Sequence, residues 1–253
     1  MTATVIAMTT RSVALVLLCA AVTGLSACGA ETSSDVSSTA SASAAPVIDL
    51  GDGGRYTPVI DAANFVDTVD NPYFPLTSGS RWVYEGTSDG ESERTEVVVT
   101  GERKSILGIS AIVVRDTVSV AGQVVEDTYD WFAQDREGNV WYLGEASRDI
   151  ENGAVVSTAG SWEAGVDGAL PGIVMKASPA VGDAYRQEYY RGEAEDLAEV
   201  LEVGADRVVT KEWNPLDPDV VEEKTYERGV GLIGEEKVRG GDGALELVSY
   251  TAG

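Results

Sequence analysis

The chain has 253 residues, with 18 Lys and Arg against 42 Asp and Glu, no histidine and two cysteines, for a formal net charge of −24 at pH 7. Such a field repels phosphate backbones and anionic headgroups, so a nucleic-acid partner is excluded. Without histidine, the usual general base and the commonest transition-metal ligand are missing.

The amino terminus reads as an export signal. Arg11 is the one charged residue before Cys28, and "SVALVLLCAAVTG" after it is an apolar run too short to span a bilayer comfortably. Leu25-Ser26-Ala27-Cys28 then has the pattern of a lipobox: a branched apolar residue, two small ones, and the cysteine that is lipidated. Residues 1–27 are therefore expected to be a lipoprotein signal peptide, and Cys28 the lipidation site that anchors the protein to the extracytoplasmic face of a membrane. Cys19 leaves with the signal, so the mature chain holds no cysteine pair. Two acyl chains, at about 0.8 kcal/mol per buried methylene, suffice for stable anchoring.

Residues 28–57 follow as a linker. "GAETSSDVSSTASASAAP" has 11 Ser or Ala in 18 residues, too little apolar surface to offset the entropy of ordering. Residues 58–253 are long enough for a single domain with its own core, and no later run approaches membrane-spanning length.

Period-two patterning dominates that domain. "DAANFV" predicts a helical turn capped by Asp61, after which strands follow. "RTEVVVTGER", "AIVVRDTVSV", "VVEDTYDWFA" and "NVWYLGE" all read as strands, separated by turn signals at "SDGE", "AGQ", "REGN" and "ENGA". On the second, Ile112, Val114, Val118 and Val120 share a face interrupted by Asp116. On the third, Val125, Tyr129, Trp131 and Ala133 form the more apolar face, with Glu126, Thr128 and Asp130 opposite. "RGEAEDLAEVLEVG" has helical composition but reads as a strand beside strands. The predicted class is all-β and mainly antiparallel: a curved meander sheet, either half-barrel or sandwich, with at most one or two short helices.

Three segments echo later ones in the same order. Pro75–Gly86 is echoed by Pro179–Gly192, Val124–Asp130 by Val220–Glu227, and Gly138–Glu145 by Gly229–Glu235. Two similar halves, 70–170 and 171–253, would account for this; so would the reuse of hairpin chemistry.

"DNPYFPLTSGSRWVYEG" is the most distinctive stretch. Pro72 and Pro75 prevent regular ladder pairing, Gly79 offers a turn, and Tyr73, Phe74, Trp82 and Tyr84 are expected to pack around the entry to the first long strand. With "EDTYDWFAQDREGNVWYLGE" and "GSWEAGVDGALPGIVM", it resembles an uncharacterised family of exported actinobacterial proteins and lipoproteins. The resemblance implies an extracytoplasmic β domain and brings no catalytic or binding residue with it.

No catalytic constellation stands out. "GSWEAG" lacks the spacing of a nucleophile elbow and reads as a loop. Of the acids, Asp116, Asp127 and Asp130 are those a two-carboxylate hydrolase would draw on, though facing solvent or pairing with Arg115 is the plainer expectation. The oxygen-rich "GDGG" at Asp52, "QDREGN" at Asp135 and "DPD" at Asp217 to Asp219 read as turns, and no metal or cofactor is expected. Trp82, Tyr84, Tyr129, Trp131 and Trp141 are the candidate ligand-lining residues. The leading expectation is a monomeric, non-enzymatic binding module for an apolar small molecule or envelope component, for which a carrier cavity beyond about 300 Å³ is expected. A protein-interaction module presenting an acidic face is the alternative, and a solvated acidic surface is the plain account of the charge.

Overall fold

The computed structural model describes residues 56–253; the expected signal, Cys28, the linker before Tyr56 and the "GDGG" segment lie outside the described residues. One 3-10 turn, Ala62–Asn64, begins the domain, and Asp61 caps it by accepting from the Ala63 amide at 2.9 Å. The rest is strand and connection. In chain order the strands are β1 (Phe65–Val66), β2 (Arg81–Ser88), β3 (Glu91–Ile106), β4 (Ile109–Val120), β5 (Gln123–Asp135) and β6 (Val140–Ala146). The small strands β7 (Asp149–Glu151), β8 (Ala154–Ser157) and β9 (Trp162–Glu163) lead to β10 (Leu170–Met175), β11 (Ala184–Arg186) and β12 (Glu188–Tyr189). Then come β13 (Leu197–Val203), β14 (Arg207–Asn214), β15 (Asp217–Glu227), β16 (Gly231–Arg239) and β17 (Gly243–Thr251). The segment with helical composition is thus strand β13.

All pairings are antiparallel, and they lead round on themselves. Strands β2 to β6 form a meander, and β10 pairs with β6 on one side and β12 on the other. Interrupted only at Gln187, β11 and β12 act as one strand; β11 pairs with β13, β13 to β17 continue the meander, and β17 returns to β2. The sheet thereby curls into a nearly closed barrel. Two ladders are thin: β10 meets β12 only at Leu170↔Tyr189 and Pro171↔Glu188, and β16 meets β17 only from Gly234 to Glu236.

Local chemistry explains the hairpins. Asp89-Gly90, Ala121-Gly122 and Asn152-Gly153 have both residues at positive φ, the two-residue turn whose twist matches its strands. Leu107-Gly108 does the same between β3 and β4, with leucine at φ 51°, so nothing in its residue type announces it.

The echoed segments occupy matching places. The first pair lies at β2 and β11–β12, the second on β5 and β15, the third on β6 and β16. The match extends to hydrogen bonds: the Gly79 amide donates to Val99 O and Val99 to Ser80 O, while the Gly182 amide donates to Val200 O and Val200 to Asp183 O. Both glycines sit at φ 87°. Residue 170 opens β10, so a division at 170/171 falls within a strand; the pairing pattern repeats after β10.

Side chains alternate across a strand, so each strand sends one row inward. Register fixes one such row as Trp82, Val97, Asp116 and Thr128 across β2 to β5. Tyr73, Trp82, Val99, Ile112, Phe132, Tyr142 and Val208 belong to one contiguous buried cluster.

Candidate functional site

A cavity of about 210 Å³ opens inside the barrel, lined from strands on all sides. Its apolar wall includes Phe74, Leu76, Trp82, Val97, Val114, Phe132 and Leu232. Beside the neutral polar Tyr84, Tyr142, Tyr226 and Gln187, the lining holds six acids, Asp116, Asp130, Glu188, Asp196, Glu212 and Glu235, and a single cation, Lys224.

The Pro-rich motif closes around one side of this space. The Asn71 amide donates to Gln134 Oε1 at 2.8 Å, and its Nδ2 reaches Gly138 O and Lys176 O at 2.9 and 3.1 Å. Held that way, Phe74 packs its ring edge to face on Phe132 at 5.2 Å and tilts over Tyr226 at 6.5 Å. Trp82 Nε1 donates to Val230 O at 2.7 Å and Tyr84 OH to Leu232 O at 2.9 Å, tying β2 to the start of β16, before the β16–β17 ladder begins.

Two hydrogen-bond sets organise the carboxyls. Tyr142 OH donates to Asp130 Oδ1 at 2.5 Å, with Glu145 Oε2 at 3.2 Å, and Trp162 Nε1 donates to Glu188 Oε2 at 3.1 Å. Lys224 Nζ lies 2.9 Å from Glu212, 3.5 Å from Glu235 and 4.0 Å from Glu222. Asp116 differs: its Oδ1 is buried and has no hydrogen-bond partner.

So many acids cannot all be ionised away from water. Burial, then the charges of Asp130, Glu126, Glu235 and Glu93, raise Asp116 well above the usual carboxylate range. Burial raises Asp130 to about 6, against the opposing Tyr142 hydrogen bond. It raises Glu188 to about 8, reinforced by Asp130, and Glu235 to about 8 despite Lys224. Glu145 and Asp196 are raised as well, first by burial and then by Glu188. Lys224 goes up in spite of burial because Glu212, Glu235 and Glu222 surround it, so it stays charged. At neutral pH the cavity lining therefore holds both protonated carboxyls and carboxylates.

Of the residues singled out from sequence, Trp82 and Tyr84 line the cavity. Tyr129, Trp131 and Trp141 do not. They occupy the opposite face of β5 and β6, since the alternating Asp130, Phe132 and Tyr142 point inward. Tyr129 lies between Arg115 and Arg148, at 5.7 and 5.6 Å from its ring. Trp131 carries Lys104 Nζ 3.1 Å from its ring centroid, and Trp141 donates to Asp135 at 2.8 Å beside Phe65. The face of β5 that reads as apolar is thus the outer one, kept dry by cations and by β1.

The three acids of interest divide. Asp127 pairs with Arg115 at 2.6 Å, as expected, whereas Asp116 and Asp130 face neither solvent nor Arg115 but the cavity. Not every acid is at the surface: Glu93, Glu126, Glu145, Glu188 and Glu212 are buried, so a solvated acidic surface accounts for most of the acids but not for these. Asp135, in an oxygen-rich turn, accepts from Asn139 and Trp141, and among the described residues no cluster of His, Cys, Asp or Glu is arranged to hold a metal. Glu188, Asp196, Glu212, Lys224 and Glu235 carried no motif, and nothing in their spacing marked them. "GSWEAG" is more than a loop, because Trp162 lies on β9 against β6 and reaches Glu188.

Comparison with known proteins adds little. No family model and no curated protein matches the chain. A solved structure from Parabacteroides distasonis, provisionally described as a lipoprotein, aligns with 71% of this chain and 98% of its own at 12% identity and a TM-score of 0.30. At that score the likeness establishes neither fold nor role.

Proposed function

We propose that the protein is a lipid-anchored, extracytoplasmic binding module without catalytic activity, its ligand held inside the barrel. The anchor rests on the lipobox ending at Cys28, and the kinship on the motifs shared with exported actinobacterial proteins. The observation that carries the reading is the cavity, into which the barrel turns an apolar wall and a set of ionisable groups. At about 210 Å³ it falls short of the roughly 300 Å³ where drug-sized pockets begin. A whole lipid does not fit; a small envelope molecule, or one end of a larger one, does.

Native mass spectrometry of the full chain, purified from its own envelope, tests this. The expected spectrum shows diacylation at Cys28 and a small non-covalent adduct lost on denaturation. A ligand-free protein with an unmodified Cys28 contradicts it.

A further inference from the structure

The cavity has an imbalance that its own residues do not resolve. Six lining carboxyl side chains face one lining cation, and Lys224 is already engaged by Glu212, Glu235 and Glu222. On the far wall Asp116 has no counter-charge. The groups acting on it electrostatically are Asp130 and Glu126 from β5, Glu235 from β16 and Glu93 from β3, every one an acid. Tyr84, on β2, stands in the fields of both Asp116 and Glu235.

Two further observations point to an occupant. Asp116 Oδ1 is buried, lines the cavity and has no hydrogen-bond donor, whereas Glu235 Oε2 has Lys224 as its ion-pair partner at 3.5 Å. Buried acceptors without donors are rare and costly in native proteins. The register also sets Asp116 in one row with Val97 and Trp82, and Asp130 stands two residues from Phe132. Aromatic faces beside carboxylates are the surroundings an organic cation prefers, through charge pairing and through the ring quadrupole.

We propose that the barrel interior binds a small organic ammonium ion, its nitrogen donating to Asp116 and Asp130 and its apolar body lying against Trp82, Phe74 and Phe132. This rests on the binding-module reading and narrows it to one ligand chemistry. A neutral alcohol of the same shape would use the apolar wall but bring no charge to exchange for the protons these carboxyls hold; a carboxylic acid would add one more acid. Because Asp116 and Asp130 hold their protons more tightly than free carboxyls, the ammonium ion displaces protons as it binds. Its affinity therefore rises with pH between 5.5 and 8.

Calorimetry on the full chain in non-ionic detergent, with butylammonium, butan-1-ol and butyrate as probes, tests the proposal. At pH 8 butylammonium is expected to bind at least tenfold more tightly than butan-1-ol, and butyrate not at all. Its affinity should drop at least fivefold at pH 5.5, with proton release seen as a dependence on buffer ionisation enthalpy. Asp116→Asn should cost butylammonium at least tenfold and leave butan-1-ol unchanged; Asp130→Asn provides the same test should the first variant fold poorly. Equal binding of the alcohol and the ammonium overturns the cation proposal while leaving the binding module intact. Absence of butylammonium binding, or binding unaffected in a folded Asn variant, also overturns it, and an adduct in the native mass spectrum would then show that the module binds something else.

Discussion

Asp116 interrupts an otherwise apolar face of its strand, and that interruption is visible in the sequence. Its consequence is not, because a lone acid on an apolar face reads equally as a surface residue. Only the register, which sets it beside Val97 and Thr128 on the inner wall, decides. Tyr129 and Trp131, expected to line a ligand site, lie on the other face of β5, where Trp131 joins the buried cluster and cations lie against both rings. Asp116→Asn keeps shape and removes the ionisable group. Asp116 has its folded pKa above the unfolded value, so its penalty is absent below about pH 4 and grows as pH rises toward the folded value. The variant is therefore expected to be more stable than the parent at pH 8, by about 1–3 kcal/mol, with the difference vanishing near pH 4. Denaturant unfolding at the two pH values measures it.

Among the elements, the hairpins were the most legible. Asp89-Gly90 and Asn152-Gly153 mark the β2–β3 and β7–β8 turns because these residues accept positive φ, and the glycine of Ala121-Gly122 marks the one between β4 and β5. The closure was not legible, since the ladders that complete the ring join residues far apart in sequence. Each seam between the two meanders carries a glycine without room for a side chain. A Cβ added to Gly86 on β2 would fall on the Ala244 carbonyl of β17, and one added to Gly172 on β10 on the Gln187 carbonyl between β11 and β12. The β10–β12 ladder is short, so Gly172→Ala is expected to part it and cost about 3 kcal/mol. Gly122→Ala, in an open turn at φ 77°, should cost only about 1 kcal/mol. Thermal melts of the two variants compare them; equal losses would contradict the seam.

For the molecule as a whole, the sequence states a net charge of −24 but not where the charge sits. A solvated acidic surface is the economical reading, and the barrel departs from it by turning Asp116, Asp130, Glu188, Asp196, Glu212 and Glu235 toward its interior. Composition could not reveal this, because alternation shows which residues share a face but not which face becomes the inside. The exterior keeps ordinary surface ion pairs, such as Arg81 with Glu96 at 2.5 Å, while the interior keeps its carboxyls charged or protonated according to pH and occupant. The most direct test of that interior is a carboxyl ¹³C NMR titration of the full chain without ligand. Asp130 should titrate near pH 6 and Glu188 and Glu235 near pH 8, with Asp116 well above the ordinary carboxylate range. If all four titrate together near the ordinary value of about 4, the acids face water and the account of the barrel interior is wrong.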